Sequence, residues 1–245
     1  MQLETYIPPR KQHHPRRIHL LVDATYFGER TNATSWCVIV LKDADTSEDL
    51  WWSFFETETT SAYHAGRIAL QELGYRILSV TGDGFSGIRT AFSGIPFQMC
   101  HVHMERLVII GTTRKPKLEA GQVLLALIKT VHHTDRRTFM RRVNWYVQKY
   151  GNFLNEKSIV PHTGELFWTH ENLRKACLSL QRLAGYLFTF EKDPRIPKTT
   201  NALEGQFGHI KEIVEIHRGL SRAQKEKVLY TILLESTIAP KGEKI

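Results

Sequence analysis

Three short runs of β-branched and aromatic residues crowd the first 55 positions, and a single helical segment separates them from two more. Ile18-His19-Leu20-Leu21-Val22-Asp23 reads as a short buried strand ending at Asp23. Trp36-Cys37-Val38-Ile39-Val40-Leu41 and Leu50-Trp51-Trp52-Ser53-Phe54-Phe55 read as the second and third. A turn around Arg30 to Asn32 and the polar stretch 43–49 link them, so the three form an antiparallel meander. Thr60 or Ser61 then caps a helix to about Leu73, with Ala62, Ala65, Ile68, Ala69 and Leu73 on its inner face and Gly74 closing it. Arg76-Ile77-Leu78-Ser79-Val80 is a fourth strand, followed at once by Thr81-Gly82-Asp83-Gly84. Ile88, Ala91 and Phe92 mark a short helix, and Pro96-Phe97-Gln98-Met99-Cys100 a fifth strand running into His101-Val102-His103.

After this point the period changes from two to 3.6. Leu118, Val123, Leu124, Leu127, Ile128 and Val131 fit successive helical turns, Phe139, Val143, Tyr146 and Val147 a second helix, and Leu173, Cys177, Leu180 and Leu183 a third. Residues 114–149 hold nine Lys/Arg against two Asp/Glu, a local +7 in a chain whose formal net charge is +8. Such a lobe reads as a phosphate-facing surface, with Arg136, Arg137, Arg141 and Arg142 as DNA-binding candidates. Trp145 and Trp168 lie in the same lobe, and an aromatic there is either helix-packing core or a platform for an extruded base.

The helical period returns to the core at Pro197-Lys198-Thr199-Thr200-Asn201-Ala202-Leu203-Glu204-Gly205-Gln206-Phe207-Gly208-His209-Ile210-Lys211. Thr199, Thr200 or Asn201 serves as the cap, Leu203, Phe207 and Ile210 form one stripe, and Glu204 falls where the helix dipole favours a negative charge. Lys198, Lys211, Arg218 and Arg222 flank Glu204 as further phosphate-binding candidates.

The order β-β-β-α-β-α-β is that of a ribonuclease H-like core. In that fold the first and fourth strands are neighbours, which brings Asp23 beside Asp83, and a later helix brings Glu204 to the same edge. The expected class is α/β: a ribonuclease H-like mixed sheet flanked by helices, with an all-α insertion between the second Asp and the Glu. Residues 1–17 form a basic lead-in, 18–112 the first part of the core, 113–195 the insertion, 196–238 the returning helix or helices and 239–245 a tail. Hard carboxylate oxygens suit Mg²⁺ or Mn²⁺, and two such ions about 4 Å apart serve hydrolysis at a phosphodiester.

Leu21-Val22-Asp23-Ala24-Thr25-Tyr26, Thr81-Gly82-Asp83-Gly84, Cys100-His101-Val102-His103 and Thr199-Thr200-Asn201-Ala202-Leu203-Glu204 resemble the signature segments of DDE transposases, most closely the IS256 and Mutator-like group. The resemblance spans roughly residues 18–222, and its Thr-Thr-Asn-x-x-Glu helix start is the most specific piece. It implies that Asp23, Asp83 and Glu204 are the catalytic, Mg²⁺- or Mn²⁺-binding triad. It also implies hydrolysis at transposon ends, then attack of the freed 3′-hydroxyl on target double-stranded DNA, by a homo-oligomer. Members of the group generally carry a DNA-binding region ahead of the core. Only about seventeen residues precede the first strand here, without a paired Cys-x-x-Cys, so the expectation is a catalytic fragment, a truncated or decayed element, or a protein whose end recognition is supplied elsewhere.

Cys100 and His103 form the group's Cys-x-x-His. As half of a zinc site it needs two more ligands, with His132, His133, His162 and His170 as donors; otherwise it is a buried cysteine beside a hydrogen-bonded histidine. Zinc is not the expected cofactor, since no His-Glu-x-x-His is present. The three cysteines have no regular spacing, and no apolar run reaches membrane-spanning length, which points to a reducing cytoplasm, at the nucleoid in a bacterial host. The rival readings are a non-catalytic DNA-binding module derived from a transposase and a ribonuclease H-like nuclease.

Overall fold

A computed structural model describes residues 5–28, 35–217 and 219–235. The turn expected at Arg30 to Asn32, Arg218 and the tail at 239–245 lie outside the described residues. The chain divides into two compact units, Met1–Phe97 with Pro194–Ile245, and Gln98–Asp193.

The sheet is built from β1 (Arg17–Phe27), β2 (Trp36–Asp43), β3 (Asp49–Phe55), β4 (Arg76–Gly82) and β5 (Phe97–Met99), in the order β3-β2-β1-β4-β5. β1 and β2 pair antiparallel, as do β2 and β3, whereas β1 and β4 pair parallel. This is the meander and the β1–β4 adjacency of a ribonuclease H-like mixed sheet. Helices α1 (Thr60–Glu72) and α2 (Ser86–Ala91) connect the meander to β4 and β4 to β5. In β1 and β2 almost every side chain is buried, as expected of strands covered on both faces.

Two corrections to the sequence reading arise here. Asp23 does not end its strand: β1 continues to Phe27, because β2 supplies partners as far as Phe27↔Trp36 after β4 has stopped. Helix α1 is capped by the Thr59 side chain, which accepts from the Ala62 amide, and is rotated from the expected face. Ala62, Tyr63, Gly66 and Leu70 point inward while Ile68 and Leu73 are exposed. Gly66 explains the rotation. A Cβ there would sit 2.8 Å from the Trp51 ring and 3.0 Å from Leu41 Cδ2, so the helix approaches the sheet through its one position without a side chain.

The opposite face carries α7 (Asn201–Ile216) and α8 (Arg222–Glu235). Leu203, Phe207, Ile210 and Val214 of α7 pack with Leu21, Phe27, Trp36, Val38, Val40 and Trp52 of the sheet and with Leu229 and Leu233 of α8. The apolar stripe expected of this helix is the one buried.

The second unit contains α3 (His101–Thr112), α4 (Glu119–Lys129), α5 (Arg136–Leu154) and α6 (Glu171–Leu183), with a hairpin of β6 (Lys157–Ile159) and β7 (Leu166–Trp168). Its core includes Met104, Val108, Phe139, Tyr146, Leu180 and Leu183. Helix α3 falls in this unit, ahead of the expected boundary at 113, because it packs on α4 and α6. At its crossing with α6, a Cβ on Gly111 would lie 2.6 Å from Ala176 Cβ. The purely helical expectation missed the hairpin. Pro161 and Gly164, the latter at φ 72°, turn the chain between two runs too short to show a period.

Candidate functional site

The last β1–β4 pair is Leu21↔Thr81, and two residues further along each parallel strand stand Asp23 and Asp83. Asp23 lies opposite Val40, and side chains of an antiparallel pair share a face, so Asp23 projects on the side where Val40 meets α7. Asp23 is 8% exposed and its Oδ1 accepts from the Ala24 amide at 2.8 Å. Asp83 follows Gly82 at the strand end, half-buried, with Oδ1 accepting from the Phe85 amide at 2.8 Å. This local turn directs the carboxylate of Asp83 rather than leaving it to solvent.

Glu204 occupies the first turn of α7 and is half-buried. Thr200 is the N-cap residue, fully buried, and its side chain makes no capping bond. Its carbonyl receives the Leu203 and Glu204 amides at 2.9 and 3.1 Å, so of the three expected candidates Thr200 takes the cap position, through its backbone. The lead-in to α7 is anchored at β4 by Thr81 Oγ1, which donates to the Pro197 carbonyl at 2.9 Å. Asp23 therefore lies on the face covered by α7, whose first turn holds Glu204, and Asp83 follows directly on the end of the neighbouring strand β4. Their oxygens do not all come within 4.8 Å of one another. Three hard, anionic oxygen donors are nevertheless ligands of the kind Mg²⁺ or Mn²⁺ takes, since such ions keep several of their own waters.

Tyr63 was not singled out in the sequence and belongs to this neighbourhood. Its phenol donates to Glu58 Oε1, and Glu58 donates its amide to the Tyr26 hydroxyl at 3.1 Å. Burial pushes the Tyr63 phenol well above its ordinary range, and the charges of Glu58, Asp83 and Asp23 push in the same direction. The phenol is thus a neutral donor. Only the three-dimensional proximity of α1 to the carboxylate edge reveals it.

The basic candidates sort into different roles. Arg222 donates to Glu56 at 2.5 Å and Glu226 at 2.9 Å and sits 5.4 Å from the Trp36 ring, so its charge is spent inside the protein. Lys198 and Lys211 are exposed, and Lys211 lines a cavity of about 510 Å³ together with Tyr26, Trp36 and Lys225. In the second unit Arg136, Arg137, Arg141 and Arg142 are all exposed on α5. At 100° per residue, Arg137, Arg141 and Trp145 lie opposite the buried Phe139, Val143, Tyr146 and Tyr150, and Arg142 and Lys149 lie on the flank between the two sides. Trp145 is 49% exposed on that basic face. Lys157 and Arg174 stand 4.5 and 4.1 Å from the ring centre of Trp168, and Lys149 stands 5.3 Å from that of Trp145, so cations already stand at both rings and most closely at Trp168.

Cys100 is the buried N-cap residue of α3, and His103 is half-buried in the first turn. The histidines named as further zinc donors are engaged elsewhere. His132 meets Glu105 at 3.4 Å, and His170 meets Glu156 at 3.2 Å while stacking on Phe153. His133 and His162 are exposed. No described helix is long and apolar enough to cross a membrane.

No protein-family model matches the sequence, and no curated protein matches it. Among solved structures the chain is similar to a simian T-cell lymphotropic virus intasome in complex with the PP2A regulatory subunit B56 gamma, at TM-score 0.27 and 15% identity over 67% of this chain. It spans 57% of that intasome chain. It is also similar to the HTLV-2 integrase catalytic core domain in complex with magnesium, in trimeric form, at TM-score 0.28 and 15% identity over 63% of this chain and 95% of that one. The functional reading rests on the geometry of the site.

Proposed function

We propose that this chain is the catalytic part of a DDE-type DNA transposase of the IS256/Mutator-like group. In this reading it hydrolyses phosphodiesters at transposon ends and transfers the freed 3′-hydroxyl into target DNA. The observation that carries the reading is that Asp23 lies on β1, on the face covered by the helix whose first turn holds Glu204, while Asp83 follows directly on the end of the neighbouring parallel strand β4.

Bound divalent ions would supply activation of a water or hydroxyl and stabilisation of the leaving oxygen. Asp23, Asp83 and Glu204 are the residues that would hold them. The chain's own contribution is to keep one Asp buried in the sheet and the second directed by its turn to the Phe85 amide. A neutral Tyr63 phenol, donating to Glu58, borders the same edge without adding charge. The exposed face of α5 offers cations for the phosphates of a duplex, and assembly as a homo-oligomer on DNA belongs to the same proposal.

Calorimetric titration of Mn²⁺ into the wild type, Asp23→Asn, Asp83→Asn and Glu204→Gln tests the reading. Loss of binding in the two Asp variants and weakening in the Glu variant is expected; equal binding in all four would overturn it. The basic α5 face also favours a second reading, a non-catalytic DNA-binding module. Metal-dependent cutting of a labelled transposon-end duplex separates the two.

A further inference from the structure

One row of residues crosses four strands: Thr81 on β4, Leu21 on β1, Lys42 on β2 and Asp49 on β3. The next row, two residues along β1 and β2 and three along β3, where the register shifts, stands about 7 Å away and holds Asp23, Val40 and Trp52, with Asp83 just beyond the end of β4. The first row is tied at one end to the lead-in of α7 and at the other to α7 itself. At one end Thr81 Oγ1 donates to the Pro197 carbonyl at 2.9 Å, and at the other Gln206 Nε2 donates to Asp49 Oδ2 at 2.5 Å. Glu204 lies between these two ties in the chain.

The Asp49 end is an unusual place for polar groups. Asp49 is 0% and Lys42 4% exposed, their Oδ1 and Nζ are 2.7 Å apart, and Lys42 Nζ also donates to the Ser47 carbonyl at 2.8 Å. A buried ion pair is a weak source of stability because both charges lose their water, but it fixes geometry where its partners are directional. α7 also meets the sheet through an apolar stripe, and the attraction between apolar surfaces has no preferred direction. Leu203, Phe207, Ile210 and Val214 thus hold the helix on the sheet without setting its slide along it. A charge-assisted hydrogen bond in a dry site does set it.

We infer that Gln206, with Asp49 and Lys42, is a positioning device for Glu204, fixing the axial setting of α7 against the row that holds Asp23 and Asp83. This inference rests on the reading of Glu204 as a metal-binding carboxylate. Gln206 acts through Glu204 and is not itself a catalytic residue.

The test is a double-mutant cycle in the full chain, read as Mn²⁺ affinity by calorimetry, with melting followed by circular dichroism. Gln206→Met keeps length and helix propensity and removes the amide. It is expected to weaken Mn²⁺ binding about tenfold, the lower range for loss of a group that orients a metal ligand. Glu204→Gln also weakens binding, and the double variant is expected to bind no more weakly than Glu204→Gln alone, because there is then no carboxylate left to position. Unchanged affinity in Gln206→Met, or losses that simply multiply in the double variant, would overturn the inference while leaving the triad intact. A flat Glu204→Gln arm would overturn the triad reading and the inference together. Should Gln206→Met fail to fold, Asp49→Asn, which keeps the side-chain shape and discharges the ion pair, runs through the same cycle with the same expectations.

Discussion

Asp23 shows how much a single position can carry in this chain. It is placed in mid-strand by β2, turned toward α7 by the pleat, and left only 8% exposed. Burial acts just as strongly on residues outside the site. It pushes the Cys37 and Cys177 thiols from 9.0 up to about 11, with Glu58 and Glu56 adding to the effect at Cys37. Below pH 9 both the folded and the unfolded chain keep these protons, and the stabilisation is present in full. Between pH 9 and about 11 the unfolded chain releases them first, so it binds fewer protons than the folded chain and stability falls as pH rises. The urea midpoint is expected to drop between pH 8.5 and 10.5, and the Cys37→Ala/Cys177→Ala variant to show a shallower drop. Equal slopes in the two proteins would show that the thiols are not kept protonated by the fold.

At the scale of elements, the two faces of the sheet are covered by different means. Helix α1 comes down on Trp51 and Leu41 through Gly66, whereas α7 is set by an apolar stripe together with its polar ties to Thr81 and Asp49. Gly66→Ala raises helix propensity yet forces its new methyl into the Trp51 ring. Overpacking of this kind costs about 1–3 kcal/mol, more than the roughly 1 kcal/mol that Ala contributes over Gly in a helix. Urea denaturation is expected to show net destabilisation, and a Gly66→Ala variant as stable as wild type would mean that α1 can lift off at no cost. The inner face of α1 could not be read from periodicity for the same reason: a glycine registers as neither apolar nor polar, yet here it marks the contact line.

At the scale of the whole molecule, charge is distributed unevenly. Residues 114–149 alone carry +7 of a net +8, and on α5 this excess falls on one face around an exposed Trp145. If that face meets DNA phosphates, each lost contact lowers the slope of log affinity against log salt by roughly 0.9. The Arg137→Ala/Arg141→Ala/Arg142→Ala variant is therefore expected to reduce the slope by about 2–3 in fluorescence anisotropy with a labelled duplex. The Arg222→Ala variant is expected to leave it nearly unchanged, because Glu56 and Glu226 already neutralise that guanidinium. The opposite ranking would place the duplex on the first unit.

Much of this protein was determined by local pattern. The strand order, the burial of Leu203, Phe207 and Ile210, and the basic lobe all follow from spacing and composition along the chain, because alternation and the 3.6-residue period are written into adjacent positions. What only the tertiary structure decided is which groups are neighbours across long separations. It extended β1 past Asp23, assigned α3 to the second unit, and covered Trp168 with Lys157 and Arg174. It also joined Lys42, Asp49 and Gln206 into one buried group. Lys42 and Asp49 look like turn-side surface charges in the sequence. They are buried because a bulge between Leu41 and Lys42 shifts the strand register and α7 closes over them, and neither event leaves a trace in the residues nearby.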